Sequence, residues 1–263
     1  MNEGTFGNRT RGRSLTHIPR VAYLALTGII LGVAVALLVG NTNLIAGHGG
    51  EDLAIQQRHA RDWLAGGSFY DVRQLHGPYV LQAGDSLYPP PMAIFMLPWL
   101  VLPDLLWWVV PALMVGYVIA RHRPSPWAWP LLALCVASPR TLGLLIYGNP
   151  TLWVAAAVAA GTVWRYPAVL AVLKPTLAPL ALIGVRSRWW WVGTAVLVLI
   201  SLAMLPDWAE YVTAMTNLTG QNGTYSLMDV PLAGIALVAW FARREPVDPR
   251  RVTLMDLRVD ASD

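Results

Sequence analysis

The chain has 263 residues, of which 56% are hydrophobic and only 13% are charged, and its mean hydropathy is +0.48. This composition excludes an ordinary soluble globular domain and is typical of a protein with several membrane-spanning helices. The net charge of +4 comes largely from arginines beside apolar runs, so we attribute it to membrane topology and expect no binding of nucleic acid.

The first apolar run, residues 21–40, is about as long as a bilayer is thick. A cleaved signal peptide has an apolar core of only about 7–15 residues, so we predict a retained helix. Its N-terminus is expected in the cytoplasm because an arginine-rich leader precedes it. That leader contains Arg9, Arg11, Arg13 and Arg20. The polar stretch 41–88 then emerges outside the membrane, and its pattern predicts a helix over 52–65 that ends at a Gly-Gly pair.

The later apolar segments are interrupted in three places. Prolines break residues 88–103, so we expect this segment to dip into the membrane rather than cross it. Gly148-Asn149-Pro150 interrupts residues 142–164, and Lys174-Pro175 interrupts residues 166–185. The uninterrupted apolar segments are predicted at 105–120, 127–137, 189–205 and 230–242.

Together these segments predict an all-α, polytopic membrane protein with about seven to nine membrane segments, some of them broken or re-entrant. The topology of residues 127–188 stays open. If the basic residues at both ends of 166–185 are cytoplasmic, this segment is a re-entrant pair, whereas a membrane-facing or external Arg165 allows a single span. The predicted parts are a cytoplasmic tail at 1–20, a membrane domain at 21–242 with external loops at 41–88 and 206–229, and a disordered cytoplasmic tail at 243–263.

Lys174 is an ionisable residue within the apolar run AVLAVLKPTLAPLAL. A charge at the centre of a membrane helix costs about 2.5–3.5 kcal/mol on insertion scales, which makes Lys174 a functional candidate. A lysine near the end of a segment also reaches the lipid headgroups without any further role. The residues alone support these two interpretations of Lys174 equally. Asn149, in the Gly-Asn-Pro turn, is a weaker candidate, since such a turn is more often an ordinary loop.

Asp52 lies at the start of the first predicted external helix, directly after Glu51. A carboxylate is favourable in the first turn of a helix, and from the residues alone we favour this structural role for both. Asp52 also has a position that suits a general base, because it follows the first membrane segment and lies beside polar and aromatic residues. Desolvation there moves the pKa of a carboxyl towards the pH at which a general base works. A lone histidine such as His59 is more often a surface or interface residue than a ligand, and solvation alone explains Arg58 and Arg61. If functional, the two arginines would bind a phosphate or pyrophosphate.

The order of these motifs resembles glycosyltransferase family 87, polytopic transferases of the GT-C architecture, over most of residues 15–230. The family's first external loop has an Asp, an Ala-rich helix, a Gly and a Tyr-Asp pair, which match Asp52, Ala60, Gly66, Tyr70 and Asp71. Its Tyr-x-Pro-Pro motif, followed by an apolar run and a further proline, matches Tyr88, Pro89, Pro90, Pro91 and Pro98. Later motifs match Gly148-Asn149, Lys174-Pro175, and Asn222 with Ser226-Leu227 at a longer spacing.

The resemblance implies an inverting membrane enzyme that moves a sugar, with mannose as one candidate, from a polyprenyl-phosphate donor to an extracytoplasmic lipid or glycan acceptor. In our hypothesis Asp52 takes the acceptor's proton, and Lys174 or the pair Arg58 and Arg61 neutralises the departing phosphate. No metal or other cofactor is expected. The predicted substrate-binding residues are Glu51, Arg58, His59, Arg61, Tyr88, Asn149 and Lys174.

Two departures from the family leave other functions open. Asn149 stands where the family has Gln, and the chain stops soon after Ala242, where family members run on through helices that help to hold the lipid donor. We therefore expect a short or truncated member. An inactive relative with a structural or interaction role is one alternative. A transporter of polyprenyl-linked sugars is another, because it also needs broken helices and a lysine within the membrane.

Overall fold

The chain is mostly helical, and a computed structural model describes residues 20–40, 42–82, 85–220 and 229–244. The predicted tails up to residue 19 and from residue 245, together with Asn222, Ser226 and Leu227, lie outside the described residues. The α-helices are α1 (Arg20–Gly40), α2 (Thr42–His48), α3 (Glu51–Leu64), α4 (Val72–Leu75), α5 (Pro91–Met96), α6 (Leu105–His122), α7 (Ala128–Ala137), α8 (Pro139–Tyr147), α9 (Thr151–Trp164), α10 (Arg188–Ala203), α11 (Leu205–Asn217) and α12 (Val230–Phe241). Three segments are 3₁₀ helices: Leu97–Leu100, Tyr166–Leu173 and Pro175–Gly184.

Among the described residues, two helices, α1 and α6, are long and apolar enough to cross a membrane. Two bent pairs also pass this test when each is taken as one span: α7 with α8, bent by 53°, and α10 with α11, bent by 84°. The described part of the chain therefore has two to four candidate spans. The predicted interruptions at Gly148-Asn149-Pro150 and at Lys174-Pro175 are confirmed as helix boundaries.

The structure differs from the sequence prediction in two places. The predicted external loop 206–229 begins with a helix, α11, whose Asp207 and Glu210 accept hydrogen bonds from Trp63 and Ser68. These polar contacts hold α11 against α3 and the segment that follows it. The all-α prediction also missed two short strands, β1 (Tyr79–Val80) and β2 (Leu218–Thr219), which pair in parallel.

An aromatic cluster holds the middle of the helical core together. The rings of Trp99, Trp107 and Trp153 lie with their centroids 4.7 to 5.8 Å apart. Trp107 is fully buried, and its Nε1 donates a hydrogen bond to the carbonyl oxygen of Gly148 at 2.7 Å. A hydrogen-bond partner stabilises a buried indole N–H. The cluster on α6 and α9 therefore also positions the turn between α8 and α9.

Long-range hydrogen bonds along its length hold α3 against the rest of the chain. The backbone N–H of Gly50 donates to the carbonyl of Ile146 at 2.8 Å, which ties the start of α3 to the end of α8. The Gln57 side chain donates to the Trp99 carbonyl at 2.7 Å. The Trp63 indole donates to Asp207 at 2.8 Å. The first turn of α3, which carries Asp52, is therefore fixed beside the α8–α9 turn.

Gly148 provides a test of this placement. It ends α8 with a φ of 67°, and a Cβ there would lie 2.8 Å from Cζ2 of Trp108. We expect Gly148→Ala to lower the free energy of unfolding by about 1–2 kcal/mol from the left-handed backbone alone, and by more because Trp108 must move. Gly116→Ala on α6 is the matched control, since a Cβ there meets no atom within 4 Å. Thermal unfolding in detergent compares the two, and equal Tm values would contradict this constraint.

Candidate active site

Four of the predicted residues lie in one hydrogen-bonded network. The side-chain Nδ2 of Asn149 donates to Oδ2 of Asp52 at 2.6 Å. The Oδ1 of Asn149 accepts from the Tyr88 hydroxyl at 3.0 Å and from the backbone N and Oγ1 of Thr151 at 3.0 and 2.6 Å. Lys174 reaches the same network, because its Nζ donates to Oγ1 of Thr151 at 2.7 Å. Thr151, which the sequence analysis did not single out, is the link between Asn149 and Lys174.

Local structure explains why these side chains meet. Asn149 follows the left-handed Gly148 and precedes Pro150, so its side chain is free to bond the backbone two residues on, as in an Asx-turn. Tyr88 is buried just before the prolines that start α5, and its carbonyl accepts a hydrogen bond from the Tyr70 hydroxyl at 2.8 Å. The Tyr70 and Tyr88 motifs are thus in direct contact.

Two further ionisable residues, Arg140 and Asp229, complete the network, and neither was predicted. Asp229 directly precedes α12, and its side chain is only 3% exposed. Its Oδ2 lies 2.9 Å from Nζ of Lys174. Its Oδ1 accepts from Nη2 and Nε of Arg140 at 3.2 and 3.3 Å. One buried carboxylate is therefore shared by two cations, and the Lys174 ammonium also lies 5.4 Å from the centre of the Tyr88 ring.

A cavity of about 480 Å³ adjoins this network. Asp52, Arg140 and Asn149 form its polar side. Its other walls are mainly apolar and include Leu37, Leu38, Leu142 and Ile146. Lys174 does not line this cavity, and neither do its partners Asp229 and Thr151. The cavity therefore brings a carboxylate and a guanidinium together against an apolar surface.

An apolar groove of about 320 Å³ adjoins the same turn, since Asn149 lines the cavity and Pro150 lines the groove. Side chains of α6, α9 and the 3₁₀ helix Tyr166–Leu173 form its walls. They include Val110, Pro111, Met114, Trp153, Leu170 and Leu173. Leu173, which lines the groove, directly precedes Lys174 in the chain.

Burial raises the pKa of the Asp52 carboxyl above its ordinary value of 3.8. The charge of Glu51 acts in the same direction. The hydrogen bond from Asn149 and the charges of Lys174 and Arg140 act in the opposite direction but do not cancel the effect of burial. A carboxylate with a raised pKa is a stronger proton acceptor, which suits a general base.

The other predicted binding residues, Glu51, Arg58, His59 and Arg61, do not line the cavity. Glu51 is partly exposed and lies 2.8 Å from the ring of His48. Arg58 and Arg61 are on the exposed face of α3. His59 faces inward, is 2% exposed and packs with its ring centroid 5.8 Å from that of Phe69.

Comparison with known proteins adds no assignment. No family model, curated protein or solved structure matches this chain. Within the described ranges, no three His, Cys, Asp or Glu side chains come together in a way that could hold a metal ion. The functional proposal therefore rests on the motifs and on the geometry of the cavity.

The raised pKa of Asp52 makes stability depend on pH in a predictable direction. The folded protein holds this proton more tightly than the unfolded chain does, so stability falls as pH rises from 3.8 through the folded pKa. Asp52→Asn lacks this titration and keeps an oxygen for the Asn149 hydrogen bond. The difference in Tm between Asp52→Asn and wild type, measured in detergent, should increase in favour of the variant as pH rises across that window. Above the window the difference should stay constant.

Asp62→Asn, on the exposed face of the same helix, is the control for this measurement. Its Tm should follow that of the wild type at every pH. A difference between Asp52→Asn and wild type that does not change with pH would show that the pKa of Asp52 is not raised.

Proposed function

We propose that this chain is an integral-membrane glycosyltransferase of the GT-C type, which moves a sugar from a polyprenyl-phosphate donor to an extracytoplasmic lipid or glycan acceptor. The observation that carries the proposal is the cavity that Asp52 and Arg140 share. A carboxylate with a raised pKa suits proton abstraction from a hydroxyl, and a guanidinium suits a phosphate. The apolar walls suit a substrate that carries a hydrocarbon chain.

In the proposed reaction the acceptor hydroxyl loses its proton to Asp52 and attacks the anomeric carbon. A new bond from that oxygen to the sugar forms as the bond between the sugar and the phosphate oxygen breaks. Attack on the face opposite the phosphate inverts the anomeric configuration. The polyprenyl phosphate leaves with the bonding electrons, and Arg140 neutralises its charge.

Arg140 takes the role that our sequence hypothesis gave to Lys174 or to Arg58 and Arg61. It lines the cavity with Asp52, whereas Lys174 is ion-paired with Asp229 and does not line the cavity, and the other two arginines are on the exposed face of α3. Lys174 instead holds Thr151 and Asp229 in place. The apolar groove beside the Asn149-Pro150 turn supports a donor with a long hydrocarbon chain.

The substitution Asp52→Asn tests the base assignment. We expect it to lower the rate of transfer by about 10²- to 10⁴-fold, the range that a general base contributes. The measurement uses the full chain in nanodiscs with a panel of radiolabelled polyprenyl-phosphate sugars and lipid acceptors. Asp62→Asn removes a carboxylate from the exposed face of the same helix and should keep the wild-type rate.

Each outcome of this assay has a different meaning. Full turnover by Asp52→Asn would show that another group takes the proton. Transfer by none of the proteins, across the whole donor panel, would favour a catalytically inactive relative with a structural or interaction role.

A plasma-membrane location with a cytoplasmic N-terminus, about seven to nine membrane segments and an outward-facing site is also part of the proposal. We expect single cysteines at Asn43 and Arg123, in a Cys135→Ala background, to react with a membrane-impermeant maleimide from opposite sides of the membrane. Labelling from the same side would overturn this topology.

A transporter of polyprenyl-linked sugars is the second candidate, and the buried pair of Lys174 and Asp229 favours it. Ionisable residues at broken helices are a common feature of transporters. Movement of a lipid-linked sugar across proteoliposomes without cleavage of the sugar–phosphate bond would decide in favour of transport.

A further inference from the structure

We propose that Arg140 is an anion-binding residue that the chain's own Asp229, held by Lys174, occupies in the absence of a ligand, and that a phosphate group entering the cavity takes Arg140 from Asp229. The choice of phosphate rests on the proposed function, since phosphate is the anionic group that a polyprenyl-phosphate donor brings. The proposal assigns Asp229 as an internal competitor for the substrate.

The contacts of Asp229 show which cation is exchangeable. Charge-assisted N–H···O hydrogen bonds are usually about 2.7–2.9 Å long. The Lys174 contact is 2.9 Å, whereas both Arg140 contacts are longer, at 3.2 and 3.3 Å. The Arg140 side chain is 48% exposed and lines the cavity, whereas the Lys174 side chain is 13% exposed. Arg140 is therefore the partner that an incoming anion reaches first.

The balance of charge supports the exchange. Removing one partner of a buried ion pair is costly because it leaves an uncompensated charge. Asp229 keeps Lys174 as its partner when Arg140 turns towards the cavity, so no buried carboxylate is left without a cation. Arg140 lies in the first turn of α8, and its long side chain can change rotamer without moving the helix.

This arrangement also explains how small anions are kept out. A free phosphate must compete with Asp229 for Arg140 and gains nothing from the apolar walls. A lipid phosphate adds the burial of its chain to the same charge contact. The competitor therefore favours ligands that combine a phosphate with a hydrocarbon chain.

The test is the affinity of the full chain in detergent for inorganic phosphate, measured by isothermal titration and by thermal shift against chloride at equal ionic strength. We expect Asp229→Asn to lower the Kd for phosphate about two- to fivefold, the scale of one partly exposed ion pair. In an Arg140→Gln background the same substitution should bring no gain.

Two further variants guard against misfolding and nonspecific effects. Lys174→Met combined with Asp229→Asn removes the buried pair as a neutral unit and frees Arg140, so it should show the same gain as Asp229→Asn. Asp85→Asn removes a different buried carboxylate, which is paired with Arg73, and should leave the phosphate affinity unchanged.

The outcomes separate this inference from the proposed function. Phosphate affinity that is unchanged or weaker in both Asp229 variants would overturn the competitor role, whether or not the wild type transfers sugar. Tighter phosphate binding in these variants, with no sugar transfer by the wild type, would support the anion site and contradict the glycosyltransferase proposal.

Discussion

The side chain of Asn149 connects the parts of the chain that form the site. Its nitrogen donates to Asp52 on α3, and its oxygen accepts from Tyr88 ahead of α5 and from Thr151 at the start of α9. The opposite amide orientation would point its NH₂ group at the backbone N–H of Thr151, which is also a donor. The orientation of Asp52 therefore depends on the α8–α9 turn, which Gly148 and the indole of Trp107 hold in place.

The two carboxylates of the site, Asp229 and Asp52, have different partners. Asp229 contacts both cations directly, at 2.9 Å from Lys174 and 3.2 Å from Arg140. Asp52, in contrast, is hydrogen-bonded to the neutral amide of Asn149. Burial is therefore the largest effect on Asp52 and raises its pKa, although both cations are close enough to oppose it. Two carboxylates of one site thus have different roles: one balances charge, and the other is available to take a proton.

The sequence predicted the helix breaks and four members of the network, and the reason is physical. Interruptions in apolar segments are few, and their polar groups must find partners within the protein. Tyr88, Asn149 and Lys174 therefore belong to one hydrogen-bonded network with Asp52. Arg140 and Asp229 were not predicted, because membrane topology alone also explains a charged residue between two apolar segments. Their contact with each other is visible only in the fold. Arg58 and Arg61 were chosen for their charge, but which face of α3 they occupy depends on how that helix packs.

Helix ends, rather than helix middles, supply the polar groups of this site. Asp52 lies in the first turn of α3, Arg140 in the first turn of α8, Thr151 begins α9, and Asp229 directly precedes α12. Lys174 stands between two 3₁₀ helices. The N-terminus of a helix carries a partial positive charge, which helps to stabilise the carboxylates of Asp52 and Asp229. Long uninterrupted spans would keep such ends at the membrane surfaces, so the short helices allow several of them to meet in one polar network.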